Sequence, residues 1–366
     1  MRRMTVMNGM NGHLITVDGK EHELTTDNVR SLLGSATRFW LDLVAPDPTV
    51  SETLLSDTLG FHPLAVEDAV HFGQRPKLDA YDDFTLLVVY GVSGNGHLVE
   101  LHCFYTDTYL VTVHHQPCPD LAGLTERLRH GAGTMKPPDH VMVLYRVIDA
   151  LIDGYFPILA GLDDEIDALE DQILVRPTEA QLGRLFDMKR SLIALRKVVT
   201  PQRDMFATLL SGRDVLPGMT ADAERYFRDL YDHLIRISDL VDSYRDLLSG
   251  ALDTHLSTVS NRLNVVMKQL TIIATVFLPM SFLTGFFGQN FGWMVDRIQG
   301  LPVFLIVGIG LQIVTVAALG VLFWRRGWLT SDGIVPAATP VSRPRITASK
   351  RWHVVSVPRS SGHHAG

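Results

Sequence analysis

Polar residues that could contact a cation follow an apolar run near the C-terminus. The run Leu270–Phe287 is followed by Gly288, Gln289 and Asn290. Amide oxygens can accept hydrogen bonds from the water molecules of a hydrated cation. The same residues could also form an ordinary turn at the edge of an apolar segment. On spacing alone, both interpretations remain open.

Clusters of charge offer a second kind of chemistry. Six acids lie close together: Asp163, Asp164, Glu165, Asp167, Glu170 and Asp171. The next segment is basic and contains Arg184, Lys189, Arg190, Arg196, Lys197 and Arg203. Pro177 lies between the two segments, so we expect an antiparallel helix pair. The opposite charges could be two solvated helix faces, or they could concentrate or gate ions.

Two apolar segments must position the polar motif. Neither Leu270–Phe287 nor Leu301–Trp324 contains a charged residue. A membrane-spanning helix needs about 20 apolar residues, and both segments are close to this length. The sequence therefore predicts a transmembrane hairpin near the C-terminus.

The basic residues around the hairpin predict its orientation. Arg262 and Lys268 precede the first span, and Arg325 and Arg326 follow the second, while the connecting loop has only Arg297. Lys and Arg are enriched on the cytoplasmic side of membrane proteins. We therefore expect a multi-pass protein of the cell (inner or plasma) membrane with both termini in the cytoplasm.

The N-terminal part mixes strand and helix signals. Runs rich in β-branched and aromatic residues predict strands at Thr37–Val44, Phe84–Tyr90, Leu98–Tyr105 and Tyr109–Val113. Short helices are expected at Ser51–Leu59 and His62–Val70. From about residue 138 the pattern is helical as far as the first span.

Heptad spacing connects this part to the first span. A first seam comprises Leu230, Leu234, Ile237, Val241, Tyr244, Leu248 and Ala251, and a second comprises Leu256, Val259, Leu263, Val266 and Leu270. No helix breaker separates the seams, which predicts one helix of roughly 60 residues. A helix of that length is rarely stable alone, so we expect an oligomeric bundle.

Composition excludes several classes of protein. The 366 residues carry 33 Lys and Arg against 40 Asp and Glu, a net charge of −7, which argues against a nucleic-acid partner. Cys103 and Cys118 cannot build a disulfide framework, and they lack the spacing of a zinc site. The sequence has no Walker A, Gly-x-Ser-x-Gly or His-Glu-x-x-His motif, so an enzyme is not expected. No apolar run follows Arg2 and Arg3, so no signal peptide is expected.

Several short segments together resemble the CorA family of divalent-cation (Mg²⁺/Co²⁺) transporters. They include Gln74-Arg75-Pro76-Lys77, Asp163-Asp164-Glu165, Tyr226-Phe227-Arg228-Asp229, Tyr244-Arg245-Asp246 and Val259-Ser260-Asn261. In that family the first span ends in Gly-Met-Asn, and Gly288-Gln289-Asn290 is a variant of this signature. The resemblance covers roughly residues 60–329.

The resemblance implies a funnel-shaped homopentamer in a lipid bilayer. Each chain would have an α/β cytoplasmic N-terminal domain followed by long helices and a two-helix C-terminal transmembrane hairpin. The expected boundaries are 1–137 for the α/β domain, 138–269 for the helical region with its stalk helix, 270–290 for the first span, 291–300 for the external loop, 301–324 for the second span and 325–366 for a basic, flexible cytoplasmic tail.

The resemblance also implies which residues line the pore. The matching positions are Asn264, Met267, Leu270, Ala274, Leu278, Ser281, Gly288, Gln289 and Asn290. None is charged, which suits Mg²⁺ because this ion gives up its water reluctantly. A ring of five Asn290 carbonyl oxygens would bind the hydrated ion, and Met267 and Leu270 would form a hydrophobic constriction.

The family places regulatory cation sites between neighbouring subunits. The matching residues are Asp68 and Asp229 for one site, and Glu67, Asp149 and His233 for a second. A bound Mg²⁺ would bridge carboxylates that otherwise repel each other.

The expected function is Mg²⁺ uptake, with Co²⁺ or Ni²⁺ as further substrates, gated by intracellular Mg²⁺. Mg²⁺ would be both substrate and regulatory ligand, and no organic cofactor is expected. Because Gln289 replaces the usual Met, a ZntB-like zinc transporter remains an alternative. An alternative of another class is a membrane-anchored cytoplasmic sensor that transports nothing.

Overall fold

The computed structural model describes residues 11–44, 47–94, 96–131, 140–214, 216–289, 292–297 and 300–328. These residues form two compact units. The first comprises the described residues up to 168 together with 183–249, and the second comprises 169–182 together with the described residues from 250 onward.

A seven-stranded mixed sheet lies in the first unit. Its strands are β1 Gly12–Thr16, β2 Glu21–His22, β3 Phe39–Val44, β4 Lys77–Ala80, β5 Thr85–Val92, β6 Leu98–Tyr105 and β7 Tyr109–His114. Their order is β2-β1-β3-β7-β6-β5-β4, and β3 and β7 are the one parallel pair among the described strands. The four predicted strands are confirmed as β3, β5, β6 and β7. Sequence reasoning missed β1, β2 and β4, two of which are short edge strands.

Helices follow and then dominate the chain. The shorter ones are α1 Thr26–Gly34, α2 Pro48–Glu52 with a π-helical turn at Thr53–Thr58, α3 Pro63–Val70 and α4 Pro119–Gly131. The longer ones are α5 His140–Asp153, α6 Tyr155–Val175, α7 Glu179–Leu210 and α8 Ala221–Phe287. The C-terminal elements are α9 Gly292–Arg297, α10 Leu301–Val303, a π-helical segment at Phe304–Gly310 and α11 Leu311–Arg325.

Glycines bring α5 close to the sheet. A β-carbon on Gly91 of β5 would lie 2.8 Å from the Cβ of Leu151, and one on Gly154 would lie 2.5 Å from the carbonyl oxygen of Val92. A side chain at either position would therefore push the helix away. This close packing fixes the position of α5.

A buried glutamine completes the hydrogen bonding of β5 beyond the end of β4. The strand β4 pairs with β5 only as far as Val88, which leaves the backbone of Tyr90 without a strand partner on that side. The Gln202 side chain of α7 accepts a hydrogen bond from the Tyr90 amide at 2.6 Å and donates one to the Tyr90 carbonyl at 3.2 Å. Since buried backbone groups must be paired, this contact anchors α7 on the sheet.

Charged residues also connect the helices, which the sequence did not predict. Glu165 of α6 forms an ion pair with Arg184 of α7, within the first unit. Arg196 of α7 lies 3.2 Å from Asp242 of α8. The acidic and basic segments are therefore partly paired with other helices and are not purely solvated faces.

The predicted long helix is confirmed as α8, which has 67 residues. The first heptad seam is buried along its whole length, with no member more than 8 % exposed. The second seam differs, because Leu256, Leu263 and Val266 are each about 60 % exposed in the single chain. Such a row of exposed apolar side chains needs a covering surface outside the chain.

Candidate metal centre and membrane-spanning helices

Three side chains that can bind a metal ion meet in the first unit. Asp149 and Asp153 are four residues apart on α5, so they lie on one face of that helix. His233 of α8 faces them, and one ligand atom from each of the three residues lies within 4.8 Å of the others. We call this group the acidic–histidine cluster.

The electrostatics of the cluster show carboxylates whose charges are only partly compensated. Burial raises the pKa of Asp149, and the negative charges of Asp153 and Asp229 raise it further, while His233 and Arg127 oppose the shift. Burial and the same three acids raise the pKa of Tyr145 to about 12. A cation bound here would remove this repulsion.

The surroundings of His233 leave a nitrogen of its ring available to bind a metal ion. The Phe156 ring contacts the imidazole edge-on, with centroids 5.6 Å apart. Asp229, one turn earlier on α8, has a carboxylate oxygen 3.8 Å from Nε2. Nδ1 is buried and has no hydrogen-bond partner among the described residues. Two carboxylates and an imidazole with an unpaired nitrogen are a donor set that fits a divalent cation.

Sequence reasoning named Asp149 and His233 but not Asp153. The missed signal was the four-residue spacing of Asp149 and Asp153 in a helical segment. The other predicted ligands do not join the cluster within one chain. Asp68 is 2.7 Å from the Nζ of Lys77, which also contacts Asp79, and Glu67 is exposed on α3. Burial lowers the pKa of Lys77, but the two ion pairs outweigh it and raise the pKa above its ordinary value.

A second histidine–aspartate group in the same unit has a different character. Asp42 of β3 lies 3.2 Å from the Nε2 of His114 on β7, and both side chains are buried. The Nδ1 of His114 faces the Gln116 carbonyl oxygen at 2.6 Å, and Asp42 also accepts a hydrogen bond from the Thr112 hydroxyl. Both ring nitrogens of His114 face oxygen acceptors, which favours the doubly protonated ring and leaves neither nitrogen free to ligate a metal ion.

In this pair, each residue stabilises the charged form of the other and shifts its pKa. Burial raises the pKa of Asp42, but the charge of His114 and the hydrogen bonds outweigh burial and hold it below its ordinary value. Burial lowers the pKa of His114, but Asp42 outweighs it and raises the pKa. The pair is therefore a buried ion pair that stabilises the parallel contact between β3 and β7.

Two helices are long and apolar enough to span a membrane: α8 and the continuous helical segment Leu301–Arg325. Neither of their most apolar stretches is buried in the chain, unlike the core helix of a soluble protein. On α8 the six predicted pore positions are Asn264, Met267, Leu270, Ala274, Leu278 and Ser281. Each residue turns the helix by about 100°, so all six lie within an arc of about 120°. We call this arc the uncharged face.

Several polar side chains in the spans form hydrogen bonds within the chain. The hydroxyls of Thr271, Thr275 and Thr284 donate to carbonyl oxygens four residues earlier on α8. Gln312 of α11 donates to the Thr284 hydroxyl at 3.1 Å and so connects the two helices. Such pairing is required wherever water is absent. Pro279 lies inside α8 and contributes no amide proton.

The signature segment begins where α8 ends. The Gly288 amide donates to the Thr284 carbonyl at 2.9 Å, and a β-carbon on Gly288 would lie 3.0 Å from that oxygen. Gly288 therefore suits a tight end to the helix. Gln289 follows and is exposed, whereas Asn290 lies outside the described residues.

Comparisons with known proteins agree with this architecture. The family described as CorA-like Mg²⁺ transporter protein matches residues 35–326. The cobalt/magnesium transport protein CorA of Thermotoga maritima is 36 % identical over 317 residues, which are 84 % of this chain and 89 % of that protein. The zinc transport protein ZntB of Yersinia enterocolitica is 29 % identical over 257 residues, which are 68 % of this chain and 75 % of that protein.

A solved structure shows the same fold. The CorA magnesium transporter of Methanocaldococcus jannaschii superposes with a TM-score of 0.71 at 23 % identity, covering 80 % of this chain and 92 % of that one. This likeness extends over both the α/β part and the long helices. Together with the family match over most of the sequence, it shows that the chain belongs to the CorA-like Mg²⁺ transporter family.

Proposed function

We propose that the protein carries Mg²⁺ into the cell through a pore formed by the uncharged faces of several α8 helices. Co²⁺ and Ni²⁺ are further substrates. The family membership carries this proposal, and the uncharged face supports it with a physical reason. A face without charged side chains cannot strip water from Mg²⁺, so it suits an ion that passes in its hydrated form.

A homopentamer supplies the covering surface that the exposed second seam requires. Five copies of α8 arranged about one axis would bury Leu256, Leu263 and Val266 against neighbouring chains. A ring of five also places Asn290 carbonyl oxygens around the pore entrance, where they bind the first water shell. Both termini lie in the cytoplasm, and residues 291–300 form the external loop.

The acidic–histidine cluster acts as a site for intracellular cations. Bound Mg²⁺ joins the two carboxylates of α5 to His233 of α8 and holds the closed state. Asp68 and Asp229 form the other site, across the interface between neighbouring subunits. When intracellular Mg²⁺ falls, carboxylate repulsion returns and loosens the subunits around Met267 and Leu270.

Zinc transport is a second candidate because ZntB proteins are among the relatives and Gln289 replaces the signature Met. The imidazole of His233 also binds Zn²⁺, Co²⁺ and Ni²⁺ more readily than Mg²⁺, which prefers oxygen ligands. A membrane-anchored sensor without transport is the alternative of a different class. It would need the cluster but no pore.

Ion flux separates these functions. The full-length protein is reconstituted in liposomes, and the uptake of Mg²⁺, Co²⁺, Ni²⁺ and Zn²⁺ is measured with and without a proton gradient. We expect Mg²⁺ uptake without a proton gradient. Zn²⁺ uptake that requires the gradient would favour the zinc transporter, and no flux of any ion would favour the sensor.

Substitution at the signature tests the pore itself. Asn290→Ala removes the carbonyl ring, so we expect Mg²⁺ uptake to fall to the background of empty liposomes while the oligomer stays intact by light scattering. Gln289→Met restores the usual signature and serves as the matched control, in which transport survives. Undiminished flux through Asn290→Ala would contradict the assignment of the entrance. A changed ion preference in Gln289→Met would identify Gln289 as a selectivity residue.

A further inference from the structure

A large cleft in the first unit belongs neither to the pore nor to the acidic–histidine cluster. It has a volume of about 980 Å³ and lies between the loop that follows α3, the start of β6 and the middle of α7. Pockets that hold small molecules commonly reach this size. The cleft is lined by both cationic and apolar side chains, and we call it the basic cleft.

Four cationic side chains line the basic cleft: Arg75, Arg196, Lys197 and Arg245. Arg196 and Arg245 lie 3.2 Å and 2.8 Å from the same carboxylate oxygen of Asp242, which orients both guanidinium groups. Arg75 and Lys197 are exposed and have no carboxylate partner in the described part of the chain. Asp242 balances one positive charge and leaves the others uncompensated.

The acid among the described lining residues does not cancel this surplus. Both carboxylate oxygens of Glu100 are already occupied, since they accept hydrogen bonds from the Gly73 and Gln74 amides. One of these oxygens also lies 2.9 Å from the Nε2 of His102. Glu100 therefore holds the loop around Gly73. Because four cations face only the carboxylates of Asp242 and Glu100 among the described residues, the cleft keeps a net positive charge that repels metal cations.

Part of the lining of the basic cleft is apolar and includes an aromatic ring. Phe72 supplies this ring, with its centroid 5.2 Å from that of His102 and 5.5 Å from that of His115. Val99 and Ile193 are further apolar lining residues. The Ile193 side chain is 42 % exposed and lies on the same helix as the charged residues Arg196 and Lys197. An exposed aliphatic side chain next to unpaired cations suits a ligand with both an anionic and an apolar part.

We propose that the basic cleft binds a small organic phosphate with an aromatic ring, of the nucleotide class. The guanidinium groups of Arg75, Arg196 and Arg245 match the geometry of phosphate oxygens and can bind two of them at once. Lys197 adds a point charge. The ring of the ligand packs against Phe72 and Ile193, as aromatic groups do on apolar surfaces.

Calorimetric titration of the full-length protein in mild detergent tests this proposal. The probe is ATP, and EDTA keeps the acidic–histidine cluster free of metal, so that failure here is distinct from failure of the transport proposal. We expect ATP to bind, and adenosine and inorganic tripolyphosphate each to bind at least about tenfold more weakly, since each loses one kind of contact. No ATP binding would overturn the proposal.

Variants locate the binding in the cleft. Lys197→Glu and Arg75→Glu should each weaken ATP binding at least about tenfold, since a charge reversal both removes an attraction and adds a repulsion. Lys189→Glu makes the same change on α7 outside the cleft, and its affinity should remain within about twofold of wild type. Equal weakening by Lys189→Glu would show only a diffuse charge effect and overturn the site.

An apolar variant tests the class of ligand. Ile193→Ala should weaken the binding of ATP and leave the binding of tripolyphosphate unchanged, because only ATP has a ring to pack there. If Ile193→Ala leaves ATP binding unchanged, or if tripolyphosphate binds as tightly as ATP, the cleft is a simple anion site and the nucleotide assignment is wrong. All the substituted side chains are exposed or half-exposed, and unchanged melting without ligand confirms that each variant folds.

Discussion

The chain places histidine beside aspartate in two regions of the same unit, with opposite consequences. In the Asp42–His114 pair every polar atom faces a partner, and the pKa of Asp42 is lowered. In the acidic–histidine cluster two carboxylates face one imidazole, a ring nitrogen has no partner among the described residues, and the pKa of Asp149 is raised. The first arrangement is satisfied within the chain, whereas the second leaves carboxylate repulsion that a bound cation would relieve.

Removing one charge from each region should separate the two roles most clearly. Asp42→Asn leaves a buried imidazolium without a counter-charge, which we expect to cost about 3–5 kcal/mol of unfolding free energy. Asp149→Asn removes a repelled charge and should cost far less. Urea unfolding of the metal-free protein measures both. Similar losses would mean that the two regions do not differ as described.

Removing the acids of the cluster should abolish its response to cations. In wild type, a cation at about 100 times its Kd would stabilise the protein by about 2.7 kcal/mol. The double variant Asp149→Asn, Asp153→Asn lacks the carboxylates, so this gain should disappear in thermal melts with Mg²⁺ or Co²⁺. Asp232→Asn is the control, since Asp232 is next to His233 but outside the cluster. An undiminished gain in the double variant would exclude the cluster as a metal site.

Replacing the cation by a fixed charge should shift the Mg²⁺ dependence in a known direction. Asp229→Lys would form an ion pair with Asp68 of a neighbouring subunit, so we expect protection from protease at lower Mg²⁺ than wild type, or without Mg²⁺. Asp229→Ala removes the ligand and adds no bond, so it should be poorly protected at any Mg²⁺ concentration. Identical Mg²⁺ dependence in all three proteins would show that Asp229 takes no part in the response to Mg²⁺.

Lys77 provides a further test of the pairing between Asp68 and residue 229. It already forms an ion pair with Asp68 within one chain, so it competes with any partner from a neighbouring subunit. In the Asp229→Lys background, Lys77→Ala should therefore strengthen the protection. If it does not, Asp68 is not the partner of residue 229.

The pH dependence of stability should have opposite signs for Asp42 and Asp149, which is the smallest effect we expect. The contribution of His114 is complete below its unfolded pKa of about 6.5 and is lost as pH rises through its raised folded pKa. The contribution of Asp42 is present above about pH 3.8 and is lost as pH falls through its lowered folded pKa. Stability from this pair is therefore greatest between these limits.

Asp149 behaves in the opposite sense to Asp42. Its folded pKa is raised, so the metal-free folded state holds a proton that the unfolded state has released. Stability from this group is lost as pH rises from about 3.8 through the folded pKa. Unfolding free energies of wild type, Asp42→Asn and Asp149→Asn across this range measure both signs. A difference from wild type that is the same at every pH in either variant would contradict the assignment.

Much of the fold could be predicted because its signals are local. Runs such as Phe84–Tyr90 are strands by composition, and the seam from Leu230 to Ala251 is a helix face by spacing alone. The parallel pairing of β3 with β7 could not be predicted, since Asp42 and His114 are 72 residues apart and nothing nearby in sequence joins them. Pairing over that distance depends on the whole sheet.

The candidate site, like the fold, could be predicted from the sequence only in part. The family resemblance pointed to Asp149 and His233, but only the three-dimensional structure shows that α5 and α8 place them in one cluster. Asp153 was missed because its four-residue spacing from Asp149 places the two on one face only if the segment is known to be a helix. The basic cleft was not predicted at all, because Arg75 and Lys197 come from distant segments and neither is unusual in its local context.

Pro279 makes α8 easier to bend at one point along its length. A proline inside a helix lacks one backbone hydrogen bond and crowds the carbonyl four residues before it, so bending costs less there than elsewhere along α8. Met267 and Leu270, the proposed constriction residues, precede this point, and Ser281 and Gly288 follow it. Bending at Pro279 would let the part of α8 before it and the part after it change tilt independently, so that a rearrangement of one part need not be transmitted in full to the other.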